Sequence, residues 1–141
     1  MPSLPNNPSI APFVWDDVSI SSSYPDIARR QILTQKVKEN AILLVQGILK
    51  PVNDKWGPLI PTSWYRGPEL NAKIGGVNDS QHTRGEAVDF LCINQNMLEV
   101  YYWIVTDLQW SGEVLHYRKR GHIHVALPEP NVHPDHLILE K

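Results

Sequence analysis

A chain of 141 residues with a net charge of −2 has the length of one domain and lacks the basic excess of a nucleic-acid-binding surface. Its hydrophobic content of 42% is enough for one core, and its single cysteine, Cys92, excludes an intrachain disulfide. No apolar run approaches a membrane span, and residues 1–8 show neither a basic n-region nor an apolar h-region, so neither membrane insertion nor a secretory signal is expected.

Residues 1–25 are rich in Pro, Ser and Asn and read as an extended arm, pinned by Phe13 and Trp15, ahead of a single domain over 26–141. Pro25 and Asp26 open a helical stretch. Its Leu33, Val37, Ala41, Leu44 and Ile48 recur at helical spacing, Ser23 or Asp26 can cap it, and Pro51 lies beyond its end. Residues 53–58 read as a turn. A strand follows over 59–66, with Ile60, Thr62, Trp64 and Arg66 on one face. Pro68 starts a short helix through Leu70 and Ile74, which Gly75 and Gly76 stop.

A loop through His82 leads to a strand over 86–91. Residues 96–108 are helically periodic, with Leu98, Tyr101, Tyr102 and Val105 as the buried face and Gly112 as the breaker. Two strands, 113–117 and 121–127, form a hairpin around Arg118-Lys119-Arg120, and the proline-containing tail from Pro128 reads as irregular. Helices mixed with a terminal hairpin predict an α+β fold, a small antiparallel sheet flanked by helices, over a doubly wound one.

Two histidine groups carry chemistry. In Gly121-His122-Ile123-His124-Val125-Ala126-Leu127, strand alternation puts His122 and His124 on one face and Ile123 and Val125 on the core face. Alone, such a pair is as readily the polar outer face of an edge strand. The second group is Ser80-Gln81-His82-Thr83-Arg84-Gly85-Glu86-Ala87-Val88-Asp89. Here Gly85 permits a tight turn that brings His82 and Asp89 together, and Asp89 stands between Val88 and Phe90, where an unpaired carboxylate is costly. Two imidazoles and one carboxylate make a three-ligand set that leaves a fourth tetrahedral position open, the pattern of catalytic rather than structural zinc.

With Ser63-Trp64-Tyr65-Arg66-Gly67-Pro68-Glu69-Leu70-Asn71 and Gly75-Gly76 upstream, the segment from Ser80 to Asp89 resembles the peptidase M15 family. That family holds zinc D-Ala-D-Ala carboxypeptidases and phage L-Ala-D-Glu endopeptidases and is similar to hedgehog-type domains. The match runs over roughly residues 30–127. The resemblance implies one zinc ion per chain, bound by His82, Asp89 and His124 on the sheet face. It implies His122 beside the metal as a hydrogen-bonding or catalytic group, Arg66 as an anchor for a peptide carboxylate or carbonyl, and Ser80 and Gln81 as substrate-binding or ligand-orienting groups. His133 and His136 are expected at the surface. Trp64, Trp103 and Trp110 are expected in the core, and Trp56 in either place.

The resemblance also calls for an acidic base near the last ligand, and here the alignment places His116, with Glu113 as competitor. The hairpin register decides: if residue 114 faces 124, His116 joins the metal face, whereas if 115 faces 124, Glu113 and Tyr117 do. His116 is the preferred base, because an imidazole suits proton transfer at neutral pH. The expected function is therefore a zinc peptidase cutting the stem peptides of bacterial peptidoglycan. A phage-type lytic enzyme is favoured, monomeric, made in the cytoplasm without a signal peptide and reaching the wall after release or delivery. The alternatives are a D-Ala-D-Ala carboxypeptidase and a non-catalytic zinc-binding module of the same fold.

Overall fold

The computed structural model describes residues 10–77 and 79–141. Five strands form one sheet in the order β1-β2-β4-β3-β5: β1 Leu59–Ser63, β2 Ala87–Cys92, β3 Val114–Tyr117, β4 Ile123–Ala126 and β5 His136–Leu139. The fold is α+β, as expected, but the sheet is mixed, because β5 runs parallel to β3. The tail read as irregular supplies this strand. Its prolines, at 128, 130 and 134, all precede residue 136, so from Asp135 onward the backbone is free to pair with the open edge of β3.

One face of the sheet is apolar: Val88, Phe90, Val114, Ile123 and Val125 are fully buried. Helices cover it. Pro25 does open a helix, α2 (Pro25–Arg29), after the single-turn α1 (Trp15–Val18). The stretch expected to continue to Ile48 is interrupted, however. Thr34 accepts a hydrogen bond from the Val37 amide at 3.2 Å and so starts a separate helix, α3 (Gln35–Leu44).

That helix does not stop before Pro51. It widens into a π-turn over Val45–Leu49 and continues as α4 (Lys50–Trp56). The widening, in which the Lys50 amide reaches Val45, falls just ahead of the proline that cannot donate to a regular ladder. Leu44, Val45, Ile48, Leu49 and Val52 thereby form one buried stripe against the sheet. The interrupted helix costs little, because the stripe is what the packing needs.

α5 (Pro68–Ile74), which Gly75 ends in the left-handed conformation, packs beside α2, and the chain returns to cover the sheet with α6 (Met97–Trp103), capped by Asn96 and followed by a π-turn over Ile104–Leu108. Val100 and Tyr101 of α6 and Ile104 of the π-turn are buried; of the expected set Tyr101 is buried and Val105 packs partly buried against the core, while Tyr102 is half exposed. The chain leaves this helix at Gln109, in the left-handed region, and not at Gly112. Gly112 serves packing instead. It is buried where any side chain would run into the Ala126 carbonyl, which lets Trp110 donate its indole N–H to that same carbonyl at 2.9 Å.

The part of the arm that can be described is not extended throughout. Ile10, Phe13 and Val18 belong to the core, and Phe13 meets Trp64 edge-on at 6.3 Å. Residues 1–9 of that arm lie outside the described residues. Trp64 is buried, Trp103 and Trp110 pack against the core, and Trp56 sits edge-on to Trp103 at 6.5 Å. In β1 the expected alternation breaks at a register shift between Pro61 and Ser63, so Trp64 turns into the core while Ile60 stays exposed.

Candidate metal centre

The other face of the sheet floors a cleft of about 900 Å³. Across the floor the pairing is Ser63 with Asp89, Asp89 with His124, and His124 with Leu115. Asp89 and His124 are thus held side by side on adjacent antiparallel strands. His82 arrives from a 3-10 turn, Gln81–Arg84, in which Ser80 caps the His82 amide. Gly85 closes that turn with φ 72°, and a side chain there would press on Val37. One ligand atom from each of His82, Asp89 and His124 lies within 4.8 Å of the others.

Each imidazole is oriented from behind. His82 Nδ1 donates to the Trp64 carbonyl at 2.6 Å, which leaves Nε2 facing Asp89 Oδ1 at 3.2 Å. His124 Nδ1 lies 2.8 Å from that same oxygen, and its Nε2 lies 3.1 Å from Glu113 Oε1. A ligating histidine characteristically gives its second N–H to a carbonyl or a carboxylate. Both conditions are met here, with Nε2 of His82 and Nδ1 of His124 as the free donors.

The electrostatics agree. Burial works against a charged Asp89, but the two imidazoles outweigh it and hold the carboxylate well below the usual range. Burial likewise opposes the imidazolium of His124, yet its hydrogen bonds to Asp89 and Glu113 push it up to about 9. Without a metal, then, His124 holds a proton against the Asp89 carboxylate. A divalent cation satisfies the same lone pairs, and two nitrogens with one carboxylate oxygen suit zinc. Replacing Glu113 by alanine should lower zinc affinity by roughly 10- to 100-fold. A competition titration with a chromophoric chelator checks this, and unchanged affinity would remove Glu113 from the support of His124.

The hairpin register corrects one expectation. Leu115, not Val114, faces His124, so Glu113 and Tyr117 share the metal face. His116, expected there as the base, lies on the opposite face. It is buried and stacked with Tyr101 at 6.3 Å, and its Nδ1 approaches the His122 carbonyl at 3.2 Å. The sequence held both registers open, and only strand pairing separates them.

His122 and Arg66 both line the cleft, as do Ser80 and Gln81. His122 stacks on Tyr117, ring centroids 4.7 Å apart, and its ring makes no hydrogen bond to any described residue. Burial lowers its pKa, so the ring is neutral near pH 7. Arg66 is half-buried; burial pulls its guanidinium below the usual value, while Asp89 and Tyr117 oppose the shift. It fits beneath Gly76, where an added Cβ would stand 3.0 Å from its Nη1. Gln81 gives its amide N–H to the Leu127 carbonyl at 2.9 Å, so its nitrogen serves the loop. His133 and His136 are exposed, and His136 Nε2 meets the Gly112 carbonyl at 3.1 Å.

Two contributors were not visible beforehand. The Trp64 carbonyl is a backbone group and leaves no mark in residue identity. Ser21, Ser22 and Ser23 form one wall of the cleft because Ser21 bridges to Ser63, a contact between distant segments that no local pattern announces. A family model described as Peptidase M15 matches residues 21–126, which spans the serine wall, all three candidate ligands and the sheet floor. No curated protein matches the chain.

Proposed function

The chain belongs to the peptidase M15 family of metallopeptidases, and from that premise we propose that it hydrolyses peptide bonds in the stem peptides of bacterial peptidoglycan with one zinc ion held by His82, Asp89 and His124. The observation that carries this reading is the meeting of those three side chains, from a turn and two strands, on the floor of an open cleft. A purely structural zinc site would be closed by a fourth protein ligand. Among the described residues no fourth His, Cys, Asp or Glu joins this group.

Zinc, when bound there, supplies Lewis-acid activation of water and of the scissile carbonyl. The protein supplies the rest. Glu113 and the Trp64 carbonyl hold the two imidazoles in the tautomers that point lone pairs inward. His122, neutral and free of hydrogen bonds to described residues, takes the proton of the attacking water and passes it to the departing amine. In this role it replaces His116, whose ring is on the far face. Arg66 offers a planar fork to a peptide carboxylate or carbonyl at the cleft wall. Ser80 and Gln81 shape the adjoining turn, with the Gln81 carboxamide oxygen available to substrate.

The test is incubation of the zinc-loaded protein with purified peptidoglycan, with and without a chelator. New amine ends should appear only in the zinc-replete sample, and their absence would sink the proposal in favour of a zinc-binding module. Mass spectrometry of the released muropeptides distinguishes the phage-type lytic endopeptidase, the reading we favour, from a D-Ala-D-Ala carboxypeptidase.

A further inference from the structure

We infer that the Tyr117 hydroxyl is a catalytic hydrogen-bond donor, placed to stabilise the oxyanion that forms on the scissile carbonyl. This rests on the peptidase reading of the site. The placement comes from the backbone. Because Leu115 pairs with His124, Tyr117 points to the same face as the metal ligands and lines the cleft. Its position along the sheet is held from both sides. Its own amide donates to the His122 carbonyl at 3.0 Å, and its strand pairs with β5 at Leu139.

The ring is held as firmly as the backbone. The His122 imidazole stacks on it, nearly parallel, with an interplanar angle of 18°, and the Arg120 guanidinium lies over the ring at 5.9 Å. A side chain restrained in this way loses little freedom when it donates a hydrogen bond in a transition state. Its hydroxyl makes no hydrogen bond to any described residue, although the ring is only partly exposed.

The phenol also lies in the field of the centre: Asp89, Glu113 and Arg66 all act on it. Burial first, and then the two carboxylates, raise its pKa, which keeps it a protonated donor at neutral pH. Arg66 feels it in return. A substrate carbonyl drawn into the cleft therefore meets both a guanidinium and a neutral O–H in its lining. The division of labour is physical: Arg66 can bind a ground-state carboxylate, while a hydroxyl with no resident partner gains most when negative charge develops.

Tyr117→Phe tests this, because it keeps the ring, the stack and the burial and removes one oxygen. In the zinc-loaded protein kcat on peptidoglycan stem peptides should fall about 10²-fold, with KM and zinc content unchanged. A phosphinate dipeptide, which presents a tetrahedral anion, should bind the variant at least tenfold more weakly by calorimetry. If kcat and phosphinate affinity both stay within twofold of the parent protein, the hydroxyl has no such role and the inference is overturned. Should the zinc-loaded parent release no amine ends at all, the peptidase reading itself falls and this inference with it.

Discussion

Replacing Asp89 by alanine is expected to leave a folded protein that no longer holds stoichiometric zinc and no longer cleaves peptide bonds. The residue occupies the point where the site converges: one carboxylate oxygen, Oδ1, lies 3.2 Å from His82 Nε2 and 2.8 Å from His124 Nδ1. Without it two imidazoles remain, from different elements, and a zinc ion would have only two protein donors. The fold survives because its support lies on the other face. Val88 and Phe90, the neighbours of Asp89 on β2, are fully buried and unchanged, and the backbone pairing of residue 89 with Ser63 and His124 does not depend on the side chain. Zinc content by atomic emission, alongside far-ultraviolet circular dichroism, checks both halves. Full zinc occupancy in a folded Asp89→Ala protein would refute the ligand assignment.

Trp64→Ala is expected to produce the largest loss of stability and to weaken zinc binding together with it. Trp64 is completely buried and packs edge-on against Phe13. Truncating a buried tryptophan to alanine costs about 3–5 kcal/mol, from lost burial plus the cavity left behind. For a chain of this size that lowers Tm by roughly 10–20 °C. The second effect arises because the Trp64 carbonyl accepts the Nδ1 proton of His82. When the side chain no longer anchors that segment, the carbonyl loses its fixed aim, and His82 its fixed tautomer. Thermal unfolding of the metal-free protein measures the first effect, and zinc competition below the transition the second. A Tm drop under roughly 3 °C, well short of what the cavity demands, would mean the segment is not anchored as described.

Much of this site was legible in residue order, for a physical reason. His82, Gly85 and Asp89 are close in sequence, so a single turn and strand bring them together, and alternation in a short strand separates His124 from Ile123 without knowledge of the rest. The fold class was legible from the terminal hairpin and the helical periods. What failed has a common cause. The base assignment needed the offset between two strands, and neither strand encodes it. Strand β5 was hidden because prolines at 128, 130 and 134 colour the whole tail, although they end before the strand starts. The helix ends were misplaced because a π-turn carries the chain through Pro51, and because the local cap that Thr34 places on the Val37 amide starts a second helix. The expected buried face of the 96–108 helix holds at Tyr101 and in part at Val105 but fails at Tyr102, since Tyr101 and Tyr102 look alike until one of them meets the sheet.

The parallel pairing of β3 with the tail reaches further than topology. The strand bearing Tyr117, with Glu113 just before it, is interior only because residues 136–139 lie along it. Remove that cover, and a row of unsatisfied amides and carbonyls is bared directly beside the chemistry, a template for another chain to zip onto. Pulling the tail away would therefore do double harm: it would slacken one wall of the cleft and move the open edge of the sheet from β5 to the strand that carries Tyr117.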